Sequence, residues 1–278
     1  MKVQDHLVSK EVFQLVYQDK LDLYQTQSVP QDLTEYYNSD QYLSHFNAKN
    51  SLFEKSYQWI KTYMFRRKRA LINSQVSFND KPLSLLDYGS GSGDFALYMS
   101  KHNWKVTTLE TNSNARYLIE SKGITCYASL NTLPLDKKYD IITLWHVLEH
   151  IPNYKEVLDH LKTLLTPNGR IIIAVPNFKS FDAVYYKQYW AGWDVPRHLW
   201  HFSRKSLSII SEDQGFVLKT GTPLWFDSFY ISILSERYQK KQFSFIRGGI
   251  IGLISNLKAL KNQEFSSKTY ILSINDRS

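Results

Sequence analysis

The chain has 278 residues, 43% hydrophobic, 22% charged and 15% aromatic; this is a folded, globular composition long enough to bury a full core, and it excludes a disordered or low-complexity chain. One cysteine, Cys126, excludes an intrachain disulfide framework and suits a reducing compartment. The formal charge of +8 favours anionic partners without naming one.

The N-terminal run MKVQDHLVSKEVFQLVYQDK interrupts every apolar stretch with charge, so it carries no signal-peptide pattern. The longest apolar stretch, IIGLI at Ile250–Ile254, is far too short to span a bilayer. A soluble, cytoplasmic protein with no stable membrane insertion is expected. Residues 1–75 read as polar coil and helices, a helical extension or cap ahead of a main domain over 76–278. The extension ends in a long helix of about Asn50–Asn73, because Leu52, Trp59, Ile60, Tyr63, Met64 and Leu71 recur at helical spacing. The basic run RRKR, Arg66–Arg69, is then predicted on the solvated outer face and last turn of that helix, where cations suit the dipole.

From Leu83 the pattern changes. LSLLDY (Leu83–Tyr88), KVTTLE (Lys105–Glu110), ITCYASL, YDIITLW (Tyr139–Trp145) and GRIIIAVPN (Gly169–Asn177) are short β-rich runs separated by helical segments. Apolar runs without alternation, spaced by helices, predict a parallel sheet covered on both faces. A helix near Ser203–Asp213 leads into GFVLKTG, and a terminal strand is predicted over Thr269–Asn275. A helical patch of about 229–262 lies between those strands as an insertion at the edge of the sheet.

The strongest local signal is DYGSGSGD, Asp87–Asp94, after an apolar strand and before the helical run FALYMSKH. Gly89, Gly91 and Gly93 permit a tight turn and let backbone N–H groups approach a ligand without a Cβ in the way. A dinucleotide fingerprint needs glycine or alanine at 94, where this chain has Asp94, so the loop suits a nucleoside without a pyrophosphate. Glu110, at the end of the next strand, is placed to accept hydrogen bonds from both hydroxyls of a ribose.

LLDYGSGSGDFA, TTLE, LPLDKKYDIITLWHVLEHIPN and LLTPNGRIIIAVPN together resemble the class I S-adenosylmethionine-dependent methyltransferases. Within them the chain is similar to the group that includes the ubiquinone-biosynthesis O-methyltransferases. The resemblance covers about Leu83–Gly221. It implies a three-layer αβα, Rossmann-like fold with a seven-stranded, mostly parallel sheet of order 3-2-1-4-5-7-6, the last strand antiparallel. It implies S-adenosyl-L-methionine as cofactor and S-adenosyl-L-homocysteine as product. Asp87, Gly89, Ser90, Gly91 and Gly93 would surround the methionine moiety and Glu110 the ribose. Ser129 and Leu130 would lie beside adenine, and Leu144, Trp145 and His146 would close over the cofactor. Many relatives carry an Asp near 128 or 129, where this chain has Ala128 and Ser129, leaving adenine recognition to backbone or the serine.

No N/D-P-P-Y/F element follows the fourth strand, where the chain reads LWHV, and no paired glutamates of the arginine-methylating kind occur. The expected acceptor is therefore a small or lipid-like molecule, most simply an oxygen nucleophile, and no nucleic-acid partner is expected. A non-catalytic protein of the same fold that binds the cofactor or its product is the alternative.

HVLEH supplies His146, Glu149 and His150. The ubiquinone branch reads E-M-L-E-H there, whose acids and histidine suggest a divalent metal; in this chain hydrogen-bonding roles are expected and no metal is assigned. His146, at the C-terminal end of a parallel strand, is a candidate base at neutral pH. YWAGWDVPRHLWHFS, Tyr189–Ser203, supplies the acceptor side. Asp194, Pro196, His198, Phe202 and Ser203 fit a D-x-P-x-H-x-x-x-F-S pattern of the group. His198 is the second catalytic candidate. Tyr189, Trp190 and Trp193 are predicted as a flat apolar wall with Asp194, Arg197 and His201 as its polar groups. Trp200 is expected in the core, and Ser203 as a helix N-cap.

Overall fold

The computed structural model describes residues 1–38, 51–77, 82–134 and 136–275, with the side chains of the long helix from residue 58 onward. Strands β1 (Lys2–Gln4), β2 (Val12–Gln18) and β3 (Leu23–Thr26) pair antiparallel, and β9 (Trp200–His201) completes a four-stranded sheet. This corrects the helical extension expected for the N-terminus. In β2, Phe13 and Leu15 are 5% and 1% exposed while Val12 and Val16 face solvent, a period of two that suits a strand with one buried face. Asp22, in the β2–β3 turn, accepts from Lys179 Nζ at 2.6 Å and from Ser203 Oγ at 2.5 Å, fastening the small sheet to the rest of the chain.

A short helix, α1 (Thr34–Asn38), precedes the long α2 (Ser51–Asn73). The predicted start at Asn50 and the Leu52 side chain lie outside the described residues. Leu71 and Ile72 of α2 pack on the main sheet.

That sheet contains β4 (Leu83–Tyr88), β5 (Trp104–Leu109), β6 (Thr125–Tyr127), β7 (Tyr139–Trp145), β8 (Leu165–Pro176), β10 (Phe216–Pro223) and β11 (Ser267–Ile274). Its order is β10-β11-β8-β7-β4-β5-β6, and β11 runs antiparallel to both neighbours, as the resemblance implies. Both faces are covered. Leu85, Ile141 and Ile172 point into a cluster with α2 and α3 (Asp94–Ser100). Their neighbours Leu86, Ile142, Ile171 and Ile173 point the other way, against α5 (Tyr154–Thr163) and α7 (Arg204–Asp213). Consecutive apolar residues are thus each buried, which is why these strands read as unbroken runs. Helix α4 (Ser113–Glu120) joins β5 to β6, and α6 (Phe181–Tyr186) follows β8. Ser203 caps α7 as predicted, its Oγ accepting from Ser206 N at 2.9 Å.

The patch between β10 and β11 is two helices, α8 (Asp227–Tyr238) and α9 (Ser244–Asn262). They cross at backbone contact: a Cβ on Gly248 would lie 2.4 Å from Ile233 Cα, and one on Gly252 2.8 Å from Phe229 Cα. The parallel strands all end on one edge, where the glycine loop, the end of β7 and the β10–α8 connection converge.

Candidate active site

Asp87, at the end of β4, is 2% exposed and accepts from Thr143 Oγ1 at 2.7 Å. Burial pushes its carboxyl up to about 6, against the Thr143 bond and the Lys68 ammonium. Gly89, Gly91 and Gly93 all have positive φ, at 69°, 54° and 71°. A Cβ on Gly89 would sit 2.5 Å from Val147 Cγ2, whereas one on Gly91 would meet nothing within 4 Å among the described residues. Ser90 Oγ is buried without a hydrogen-bond partner among the described residues. Glu110 Oε2 accepts from Gly91 N at 2.8 Å and Oε1 from Asn112 N at 3.0 Å. Each carboxylate oxygen keeps a lone pair, the complement of two ribose hydroxyls. Asp94, at the start of α3, is held by Lys61 at 2.5 Å and Lys122 at 2.6 Å, which with Ser92 hold its carboxyl down to about 2 against burial. The positive end of α3 is thus complemented by the chain's own carboxylate rather than left for a pyrophosphate. The bare glycine, the orphaned serine and the half-satisfied Glu110 fit a nucleoside cofactor with an amino-acid tail. Ser129 and Leu130 open a 3-10 turn after β6 on the same edge, where Thr132 Oγ1 donates to Ser129 O at 2.7 Å.

At the end of β7 the side chains alternate across the sheet. Leu144 is fully buried in the core with α5, so its side chain cannot close over a cofactor; this corrects its expected place. Trp145 faces the cleft, and its Nε1 has no hydrogen-bond partner among the described residues. His146 has φ 56° and lies between two carboxylates, Nε2 3.0 Å from Asp227 Oδ2 and Nδ1 3.5 Å from Glu149 Oε1. Burial favours the neutral ring, but the two carboxylates outweigh it and raise His146 to about 10. The two carboxylates thus favour the charged ring, where the sequence suggests a free base.

Lys68 corrects the reading of the basic run. Arg66 and Arg67 are exposed, but Lys68 Nζ lies 4.2 Å from the Trp145 ring centroid and 5.3 Å from that of Phe95. Burial lowers it to about 8, while Asp87 and Asp227 favour its charge. Met64, Lys68, Trp145, Leu224, Trp225 and Phe226 line a cleft that opens to solvent. Lys68 and Asp227 escaped the sequence reading; helical spacing from Met64 to Leu71 marks the first, and no local motif marks the second.

Glu149 is 1% exposed, and neither carboxylate oxygen has a hydrogen-bond partner among the described residues. Burial would raise its carboxyl, but His146, His198 and His150 around it bring the net shift below the ordinary value. His150 is lowered to about 4 by burial and by His198, and stays neutral. His150 Nδ1 faces Arg197 O at 2.9 Å and His198 Nδ1 faces Gly192 O at 2.9 Å, which leaves both Nε2 atoms as ligand positions. One ligand atom each from Glu149, His150 and His198 lies within 4.8 Å of the others. These residues fit a divalent cation, with His198 rather than His146 as the third member. Glu149 also brings the two catalytic candidates together, since His198 Nε2 lies 4.0 Å from the Oε1 that His146 faces.

The remaining acceptor candidates have structural partners. Trp190, 2% exposed, donates to Asp182 Oδ2 at 2.7 Å, and Trp193, 4% exposed, donates to Lys187 O at 2.7 Å. Both pack in a cluster with Phe13 and Leu15 of the small sheet, so they form its core and not a lid wall. Arg197 is buried against Asp194, with Nε 3.0 Å from Oδ2 and Nη2 2.5 Å from Oδ1. Arg197 outweighs burial and brings Asp194 down to about 2. His201 Nε2 faces Thr26 Oγ1 at 3.0 Å, and burial drives its basicity well down. Tyr189 is half-buried and packs near the His6 ring. Trp200 is half-buried, its Nε1 donating to Ile151 O at 3.0 Å.

A family model described as a methyltransferase domain matches residues 60–220. The ubiquinone biosynthesis O-methyltransferase of Rickettsia prowazekii is 27% identical over 139 residues, covering 46% of this chain and 55% of that protein. That of Rickettsia typhi is 28% identical over 147 residues, covering 47% and 57%. The chain spans just over half the length of these relatives. Among solved structures, magnesium protoporphyrin IX methyltransferase from Synechocystis PCC 6803 with bound SAH superposes with a TM-score of 0.55 at 15% identity, covering 87% of this chain and 98% of that one. The plantazolicin methyltransferase BamL superposes with a TM-score of 0.53 at 15% identity, covering 87% and 94%. At such identity the likeness is one of fold. With its sheet order, its glycine loop and the span of the family match, the chain belongs to the methyltransferase-domain family, among the class I S-adenosylmethionine-dependent methyltransferases.

Proposed function

We propose that the protein methylates an anionic oxygen, a carboxylate or an acidic phenol, on a flat and largely apolar small molecule, with S-adenosylmethionine as donor. The supporting observation is the Lys68 ammonium lining the cleft, 4.2 Å from the ring centroid of Trp145 at the end of β7.

The bound cofactor supplies a methyl group on a sulfonium, already activated for displacement. The protein then has to align the nucleophile and exclude water. Glu110, its carboxylate fixed by the Gly91 N–H, holds the ribose, and Asp87, Ser90 and the glycine loop orient the amino-acid end. Trp145, Leu224, Trp225 and Phe226 form the apolar walls of the acceptor cleft. The Lys68 ammonium pairs with the acceptor oxygen as an anion, so its proton is already gone when it reacts. Asp227 fixes the ring of His146 and keeps it charged. Glu149, His150 and His198 would hold a divalent cation, which supplies a Lewis acid for an acceptor oxygen. His198 acts there by ligation rather than as a base.

Release of S-adenosylhomocysteine from a panel of aromatic acids, acidic phenols and amines tests this. Turnover confined to amines would overturn the oxygen reading. Cofactor binding without turnover across the panel would favour the binding-protein alternative.

A further inference from the structure

Helix α9 is inverted. Four small residues, Gly248, Gly252, Ser255 and Ala259, are buried, with these two glycines against α8. Its large apolar residues face outward: Ile246, Ile250, Leu253, Leu257 and Leu260 are each 50% to 60% exposed. Their spacing of four, three, four and three residues makes one continuous stripe along the helix. Phe243 and Phe245, 73% and 64% exposed, extend it at the N-terminal end. An apolar face of this length on a folded chain marks an interaction surface.

Charge identifies the occupant. From Lys240 to Gln263 the chain has five cations and no acid. At 100° per residue, Lys258 and Lys261 border the stripe along one side, where Arg247 is already paired with Glu236 at 2.9 Å. A second copy packed on the stripe would set cations against cations with no carboxylate of the helix to pair them. An anionic bilayer offers hydrocarbon to the stripe and phosphate to its border, the arrangement of a helix lying in the membrane interface. Among the described residues no helix is long and apolar enough to cross a membrane, so the contact is peripheral. We infer that the outward face of α9 docks this protein on an anionic lipid surface. On the buried side of the helix, Asn256 Nδ2 donates to Trp225 O at 2.9 Å, joining the docking helix directly to the wall of the cleft.

Sedimentation of the full chain with vesicles tests the inference without reference to catalysis. Vesicles of phosphatidylcholine alone are compared with an equal mixture of phosphatidylcholine and phosphatidylglycerol. The expected result is binding to the mixed vesicles at least about tenfold tighter than to the neutral ones, weakening as salt is raised. Leu253→Glu with Leu257→Glu should abolish binding, and Lys258→Glu with Lys261→Glu should weaken it by about tenfold or more. All four positions are exposed, so the variants should keep the wild-type melting temperature, and those that do are the ones compared. Equal sedimentation with both vesicle types, or binding unchanged in the folded variants, would overturn the inference. So would a wild-type dimer that fails to bind vesicles and that Leu253→Glu converts to monomer.

Discussion

His146 Nε2 lies 3.0 Å from Asp227 Oδ2, joining the residue after β7 to the first residue of α8. The contact ties the end of β7 to the helical insertion and favours the charged ring. Asp227→Asn should lower kcat about tenfold or more, the cost of a misplaced electrostatic group, while calorimetry shows unchanged affinity for S-adenosylhomocysteine. Equal loss of cofactor binding would mean that Asp227 serves the fold instead.

Lys68→Met keeps the apolar stem over Trp145 and Phe95 and removes the charge. Steady-state kinetics should show a rise in KM of about tenfold for anionic acceptors and little change for neutral ones. A uniform effect on both would argue against a charge role.

Glu110→Gln replaces a carboxylate that accepts two backbone N–H groups and has capacity for two more donors. Loss of charge-assisted bonds worth about 1.5–3 kcal/mol should weaken cofactor binding by about 10- to 150-fold by calorimetry. Unchanged affinity would remove Glu110 from the ribose site.

Asp22 is buried in the β2–β3 turn. Burial raises its carboxyl, but Lys179, Ser203 and Tyr17 outweigh this and hold it below the ordinary range. A depressed folded-state value stabilises the protein above the unfolded value of about 3.9, and that contribution is lost as pH falls through and below it. Asp22→Asn should therefore destabilise by about 1–3 kcal/mol near neutral pH, with the difference from wild type shrinking below about pH 4. Denaturant melts at the two pH values check this; a gap independent of pH would exclude the ionised carboxylate as its cause.

Manganese or zinc added to the chelator-treated protein should raise its melting temperature, and His198→Ala should remove that shift while leaving affinity for S-adenosylhomocysteine intact. A shift that survives in the His198 variant would place the cation elsewhere.

The central sheet was legible because Leu85–Leu86, Ile141–Ile142 and Ile171–Ile173 are buried on alternate faces and so read as unbroken apolar runs. The cofactor edge was legible because one loop and one acid carry it. The small sheet was not, because its fourth strand, Trp200–His201, comes from far along the chain and its alternation is short. The segment around Trp190 and Trp193 misled because aromatic density looks the same in a core as in a binding wall. The His146–Asp227 contact depends on how an insertion folds back over the sheet, which no local pattern encodes.

The most direct test of the proposed chemistry is the rate of S-adenosylhomocysteine release on two acceptors with one aromatic skeleton, a carboxylic acid and the matching amine. The account predicts that the acid is methylated at least about tenfold faster, because the Lys68 ammonium favours an anionic oxygen over a neutral nitrogen. An amine methylated as fast or faster would contradict it.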